Sequence, residues 1–206
     1  MKSRSGNGGN ASIKNSNTPI YQPSVLRFPS GGFNLRFVVE RMLIDNLNFK
    51  ARTLAEFWKD MIRGAPQLKR YNELTDAQLV ELNAEFYPVL SRSLERGLDK
   101  NALGAYFVRF GKDRMRRGFP VSEVIFSMNL SQKVVVEYLL TECVMDNSMQ
   151  MYQVVDIMTR LSEFFLLGSF YLTKGYLEET YVALSDKESV PEELLKRYFR
   201  DDFFFK

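Results

Sequence analysis

Residues 146–184, DNSMQMYQVVDIMTRLSEFFLLGSFYLTKGYLEETYVAL, place Val154, Val155, Met158, Leu161, Phe165, Tyr171, Leu172 and Tyr176 at helical spacings. No proline interrupts the run before Pro191. Apolar positions that recur at three and four residues define one face of an α-helix. Asp146 or Asn147 can cap its start. Unbroken to Leu184, the helix would extend roughly 55 Å at 1.5 Å per residue, far longer than an average helix. Gly168 and Gly175 mark either weak points in it or places where a second helix comes close.

The same period runs through most of the chain upstream. Leu35, Val38, Val39, Met42, Leu43 and Leu47 form one stripe, continued after a kink expected near Asn48 by Leu54, Phe57, Trp58, Met61 and Ile62. Gly64 and Pro66 stop that helix. Thr75 and Gln78 read as a capping box that opens a helix running to Gly97, with Pro88 expected to kink it. The next helix spans about 100–117, ends at Gly118 and gives way to another that starts at Pro120. Ser189 and Glu192 read as a further start, followed by Leu195, Phe199 and Phe203 in one row. No alternation typical of strands competes with these patterns. The expected fold is all-α: an antiparallel helical bundle, or a globin-like arrangement without haem, with a long penultimate helix and a short C-terminal one.

Three segments follow from this reading. Residues 1–32 are rich in Gly, Ser, Asn and Pro and read as a disordered tail. Residues 33–186 form the helical bundle, and residues 187–206 an amphipathic C-terminal helix.

Composition excludes more than it identifies. The 206-residue chain contains no histidine, so imidazole general bases, proximal haem ligands and most zinc sites are ruled out. A net charge of +3 is too small for a dedicated nucleic-acid binder. The single cysteine, Cys143, permits no internal disulfide, reads as a small buried hydrophobe and suits a reducing cytoplasm. The most apolar stretch, 161–173, is interrupted by Glu163 and is too short to span a bilayer. The N-terminus lacks the apolar core of a signal peptide.

Candidate sites are correspondingly few. Arg109, Lys112, Arg114, Arg116 and Arg117 form the densest positive run, read as a solvated face that offsets the negative end of the helix dipole. The carboxylate pairs Glu178–Glu179 and Asp201–Asp202 read as surface charge, and no metal-ligand spacing occurs. No catalytic residue and no cofactor are expected. Phe107, Phe110, Phe126, Phe164 and Phe165 either fill the core or line a cavity for an apolar small molecule. In the latter case Ser127, Asn129 and Ser131 either add polar contacts or lie on the solvated face. Leu195, Phe199 and Phe203 either dock on their own domain or enter the groove of a protein partner.

One stretch carries a family resemblance. Tyr106-Phe107-Val108-Arg109-Phe110-Gly111, then Arg114, then Gly118-Phe119-Pro120-Val121-Ser122-Glu123-Val124-Ile125 resembles the N-terminal domains of RsbR-type stress regulators. The likeness covers about twenty residues closely and the helix order from Leu35 to Leu184. It implies a non-enzymatic sensory domain, all-helical and often dimeric, that passes a signal through its last long helix. In such proteins an output domain follows, whereas this chain ends at Lys206. The expectation is therefore a stand-alone sensor or an adaptor that acts on a protein partner or a second copy of itself.

Overall fold

The computed structural model describes residues 38–97, 99–142 and 148–187, together with Pro191, Glu193 and Phe199. The segment 1–32, Cys143 and most of the segment 187–206 lie outside the described residues. Eight helices and no strand occur among the described residues. They are α1 (Val38–Phe49), α2 (Ala51–Arg63), α3 (Lys69–Asn72), α4 (Asp76–Ala84), α5 (Phe86–Arg96), α6 (Lys100–Arg116), α7 (Val121–Glu142) and α8 (Ser148–Ser185). The protein is an all-α bundle. None of these helices is long and apolar enough to cross a membrane.

Local chemistry sets most of the boundaries. Thr75 accepts from the backbone N–H of Gln78, and the Gln78 side chain accepts from the Thr75 N–H, so the capping box is complete. Asp99 caps α6 through Asn101 N–H and Ala102 N–H. The bend expected near Asn48 is a break at Lys50, between α1 and α2.

The helix expected to kink at Pro88 is instead two helices, α4 and α5, parted at Glu85. A proline ring clashes with the carbonyl four residues earlier, here that of Ala84, and supplies no N–H to it. The interruption therefore falls upstream of the proline. Pro88 itself sits in the first turn of α5, where its missing donor has no intrahelical partner to lose.

The core is one cluster. Leu43, Leu47, Leu54, Trp58, Ile62, Leu79, Tyr87, Leu90, Phe107, Val124, Val135, Leu161, Phe164 and Leu172 are among its buried members. Each large apolar side chain removed from water contributes about 1.5–3 kcal/mol. α8 is continuous over 38 residues, about 57 Å at 1.5 Å per residue. Its contacts with α6 advance in step: Phe107 lies against Gly168, Gly111 against Leu172 and Tyr176, and Arg116 against Glu179. The two helices thus run in the same direction, as alternate members of an up-and-down series do.

Candidate functional site

The turn between α6 and α7 builds the first half of the site. Arg117 ends the helix, and Gly118 follows with φ +72°, a conformation that glycine adopts without steric cost. Gly118 N–H donates to Met115 O and Phe119 N–H donates to Arg114 O, each at 3.0 Å. This Schellman arrangement folds the residue after the glycine back over the last turn of the helix. Phe119 is consequently buried, 4.7 Å from the Tyr71 ring, and the guanidinium of Arg114 lies 5.5 Å from it and 4.2 Å above Phe110. Arg114 is only 4% exposed.

That burial corrects the reading of the basic run as a solvated face. Only Arg109, Arg116 and Arg117 are exposed. Lys112 pairs with Glu178 at 2.8 Å, and Arg116 makes a two-pronged contact with Glu179 at 2.7 and 2.8 Å. Glu178, expected at the surface, is 3% exposed, and the Glu179 side chain is largely covered. The physical reason is the proximity of α6 and α8, which brings opposite charges from distant sequence into contact at their shared edge.

Polar groups line the space beneath Arg114. Trp58 Nε1 donates to Ser127 O at 2.8 Å, and the hydroxyls of Ser127 and Tyr71 are 2.9 Å apart. Asn83 Nδ2 donates to Ser131 Oγ at 2.9 Å. Burial pushes the Tyr71 phenol above its usual pKa, an effect that the Arg114 charge and the Ser127 hydrogen bond partly offset. Among the described residues no group of three acidic or cysteine side chains is placed to hold a metal ion.

α8 builds the second half. Its inner face is seated without a gap: a Cβ on Gly175 would fall 2.6 Å from Val108 Cα, and one on Gly111 would overlap the Leu172 carbonyl oxygen. Close approach, rather than weakness, is what the glycines provide. Tyr176 Oη donates to Phe119 O at 2.9 Å, and Arg160 Nη1 bonds Glu40 at 2.8 Å and Leu94 O at 3.1 Å, which fixes the helix at two further points. The opposite face is open. Met151, Tyr152, Val155, Leu166 and Phe170 are 57%, 72%, 58%, 72% and 61% exposed. At 3.6 residues per turn they fall within an arc of about 100°, in two groups about 17 Å apart with the exposed Thr159 and Ser162 between them.

The residues singled out from sequence divide among these features. Phe107, Phe164 and Phe165 pack on one another and on Phe86, with Phe110 edge-on to Phe107. Phe126 stands apart, in a shallow surface depression with Asn129 and Thr173. Ser127 and Ser131 are buried in the polar space, whereas Asn129 is exposed. Of the C-terminal row, Leu195 and Phe203 lie outside the described residues, and the Phe199 ring lies 5.4 Å from that of Tyr181. The site roles of Asn83 and Trp58 and the open side of α8 escaped the sequence reading, which placed Trp58 only in an apolar stripe. Exposed apolar residues on a helix that is apolar on both faces carry no sign of which face the core takes.

Comparison with known proteins then places the chain. No curated protein and no solved structure matches it. Residues 52–190 match the model of the RsbT co-antagonist protein rsbRD N-terminal domain. The match spans α2 to α8, with the Gly111, Arg114 and Gly118-Phe119-Pro120 elements inside it, and the chain belongs to that family of stress-signalling domains.

Proposed function

We propose that the domain is a non-enzymatic, cytoplasmic signalling module that self-associates through the open face of α8. The observation that carries this reading is the two groups of large apolar side chains, Met151, Tyr152 and Val155, then Leu166 and Phe170, more than half exposed along one side of the longest helix. Clustered large apolar side chains left exposed on one side of a helix mark an interaction surface. A second copy offering the same stripe satisfies it by two-fold symmetry. The rigid seating of the inner face against α6 makes α8 a rod, suited to carry a change in packing at Gly168 and Gly175 along its length. Phe199 packs beside Tyr181 near the far end of the same helix.

The alternative, an apolar ligand held by Phe107, Phe110, Phe126, Phe164 and Phe165, is the weaker reading. Phe107, Phe164 and Phe165 pack on one another, Phe126 lies elsewhere, and Phe107 and Phe110 border a cavity of only about 20 Å³. Sedimentation of the whole chain tests the proposal. The wild type is expected to sediment as a dimer, and the Leu166→Glu/Phe170→Glu variant as a monomer of unchanged helical circular dichroism. A wild type that remains monomeric at high micromolar concentration would remove the basis of the reading.

A further inference from the structure

The space beneath Arg114 has polar capacity that the protein itself does not use. It is a cavity of about 20 Å³, counted as the room open to the centre of a water-sized sphere, and its walls include Trp58, Tyr71, Asn83, Arg114, Ser127 and Ser131. Arg114 is 4% and Asn83 6% exposed, yet Arg114 Nε and Asn83 Oδ1 have no hydrogen-bond partner. Buried polar atoms are almost always paired, so two orphans on the wall of one cavity call for an occupant. The other polar groups are committed: Trp58 to Ser127 O, Ser127 to Tyr71, Tyr71 also to the Arg114 side chain, and Asn83 Nδ2 to Ser131. What remains is one cationic N–H donor and one amide acceptor.

The missing partner must therefore offer an acceptor oxygen and a donor hydrogen. Arg114 is the only charged residue on the cavity wall, and its carboxylate partner Asp113 meets Nη1 at 2.8 Å from a half-exposed position. A negative acceptor is the better match for Nε. Size narrows the class further. Taken as a sphere, the room has a radius of about 1.7 Å for atom centres. A trigonal oxyanion, with C–O bonds of about 1.2–1.3 Å, places all its oxygens inside that limit. A carboxylate on a longer chain does not fit. We propose that this cavity binds a small trigonal oxyanion that retains one O–H, of which bicarbonate is the type. One anionic oxygen accepts from Arg114 Nε and the hydroxyl donates to Asn83 Oδ1. Phe107 and Met128, which wall the cavity, also meet Gly168 of α8, so the occupant lies one side chain away from the long helix.

This site is independent of the self-association proposed above. Trp58 is the sole tryptophan and stands on the cavity wall, so its fluorescence reports occupancy in the intact chain. The titrants are sodium bicarbonate, sodium nitrate and sodium chloride at matched ionic strength, at a pH where bicarbonate predominates. Bicarbonate is expected to give a saturable change and chloride none. Nitrate has the same shape without the hydroxyl and is expected to bind about 10-fold more weakly, the worth of one hydrogen bond. Asn83→Leu is expected to bring bicarbonate down to the nitrate level, and Arg114→Lys to weaken both. If the Arg114 variant does not fold, the bicarbonate–nitrate difference in the wild type and in Asn83→Leu still decides. No saturable response in the wild type, equal binding of nitrate, or an Asn83→Leu variant that binds as the wild type does would each overturn the proposal and leave water as the occupant.

Discussion

Replacing Gly175 by alanine tests whether α6 and α8 touch backbone to backbone. In an exposed helix interior this change stabilises by about 0.8–1 kcal/mol, because alanine is the better helix former. Here the added Cβ would stand 2.6 Å from Val108 Cα and closer still to the Val108 carbonyl. Carbon atoms pack comfortably at about 3.5–4.0 Å, so the helices must separate by roughly 1 Å along a seam that also holds Gly111. Overpacking of this order costs about 1–3 kcal/mol, and more where backbone rather than a side chain must yield. The propensity gain offsets only part of it, leaving a net loss of about 1–2 kcal/mol. At about 2–4 °C per kcal/mol for a chain of this size, the melting temperature should fall by about 2–8 °C. Gly168→Ala provides the internal comparison. Its Cβ would meet only the ends of Phe107 and Met128, at 2.7 and 2.8 Å, and a methionine end moves readily. That variant should melt within about 3 °C of the wild type, the clash and the propensity gain nearly cancelling. Thermal and urea denaturation read both variants. A Gly175→Ala protein that melts higher than the wild type would show that α6 and α8 do not meet there.

Three other outcomes follow from particular residues. Gly118→Ala meets no neighbouring atom, so its cost is the left-handed backbone alone, about 1–2 kcal/mol, measured as a shift in the urea midpoint; no shift would mean that the turn is not the one described. Phe119→Ala removes a fully buried ring from beneath Arg114 and against Tyr71, and calorimetry should show a loss of about 3–5 kcal/mol. Tyr71, Tyr87 and Tyr106 all have pKa values raised by burial, so the stability they confer is complete below the ordinary phenol value of about 10 and is lost as the pH rises above it. With no histidine in the chain, the melting temperature should show no imidazole step near pH 6.5 and on the alkaline side should fall steeply only above about pH 10.

Features governed by local chemistry were legible in the sequence. The Thr75–Gln78 box and the Gly118 turn each depend on residues within one or two turns of each other and appear in the structure as read, whereas the continuity of α8 through Gly168 and Gly175, which the sequence left open, is settled by the structure. Pro88 was misplaced in effect rather than in kind, because its ring acts on a carbonyl four residues upstream. The fate of charge was not legible. Lys112 and Glu178 are brought together by a tertiary approach that two glycines permit, and nothing in the spacing of either segment announces the pairing. Arg114 did carry a signal, since the residue after a C′ glycine folds back on the third residue from the helix end and here is Phe119. The candidate surface on α8 was hidden by its own composition: when both faces of a helix are apolar, the period shows a helix and leaves open which side meets the core.

The most direct measurement on the central claim is disulfide trapping at the middle of the open stripe. In a Cys143→Ser background, Ser162→Cys places a single thiol on an exposed position of that face, and Ser185→Cys places one near the end of α8 as a control. Two packed helices lie about 8–10 Å apart. The account predicts rapid and near-complete dimer cross-linking through position 162 under mild oxidation, abolished by Leu166→Glu/Phe170→Glu, and slow cross-linking through position 185. Equal, slow reaction at both positions would contradict self-association through α8.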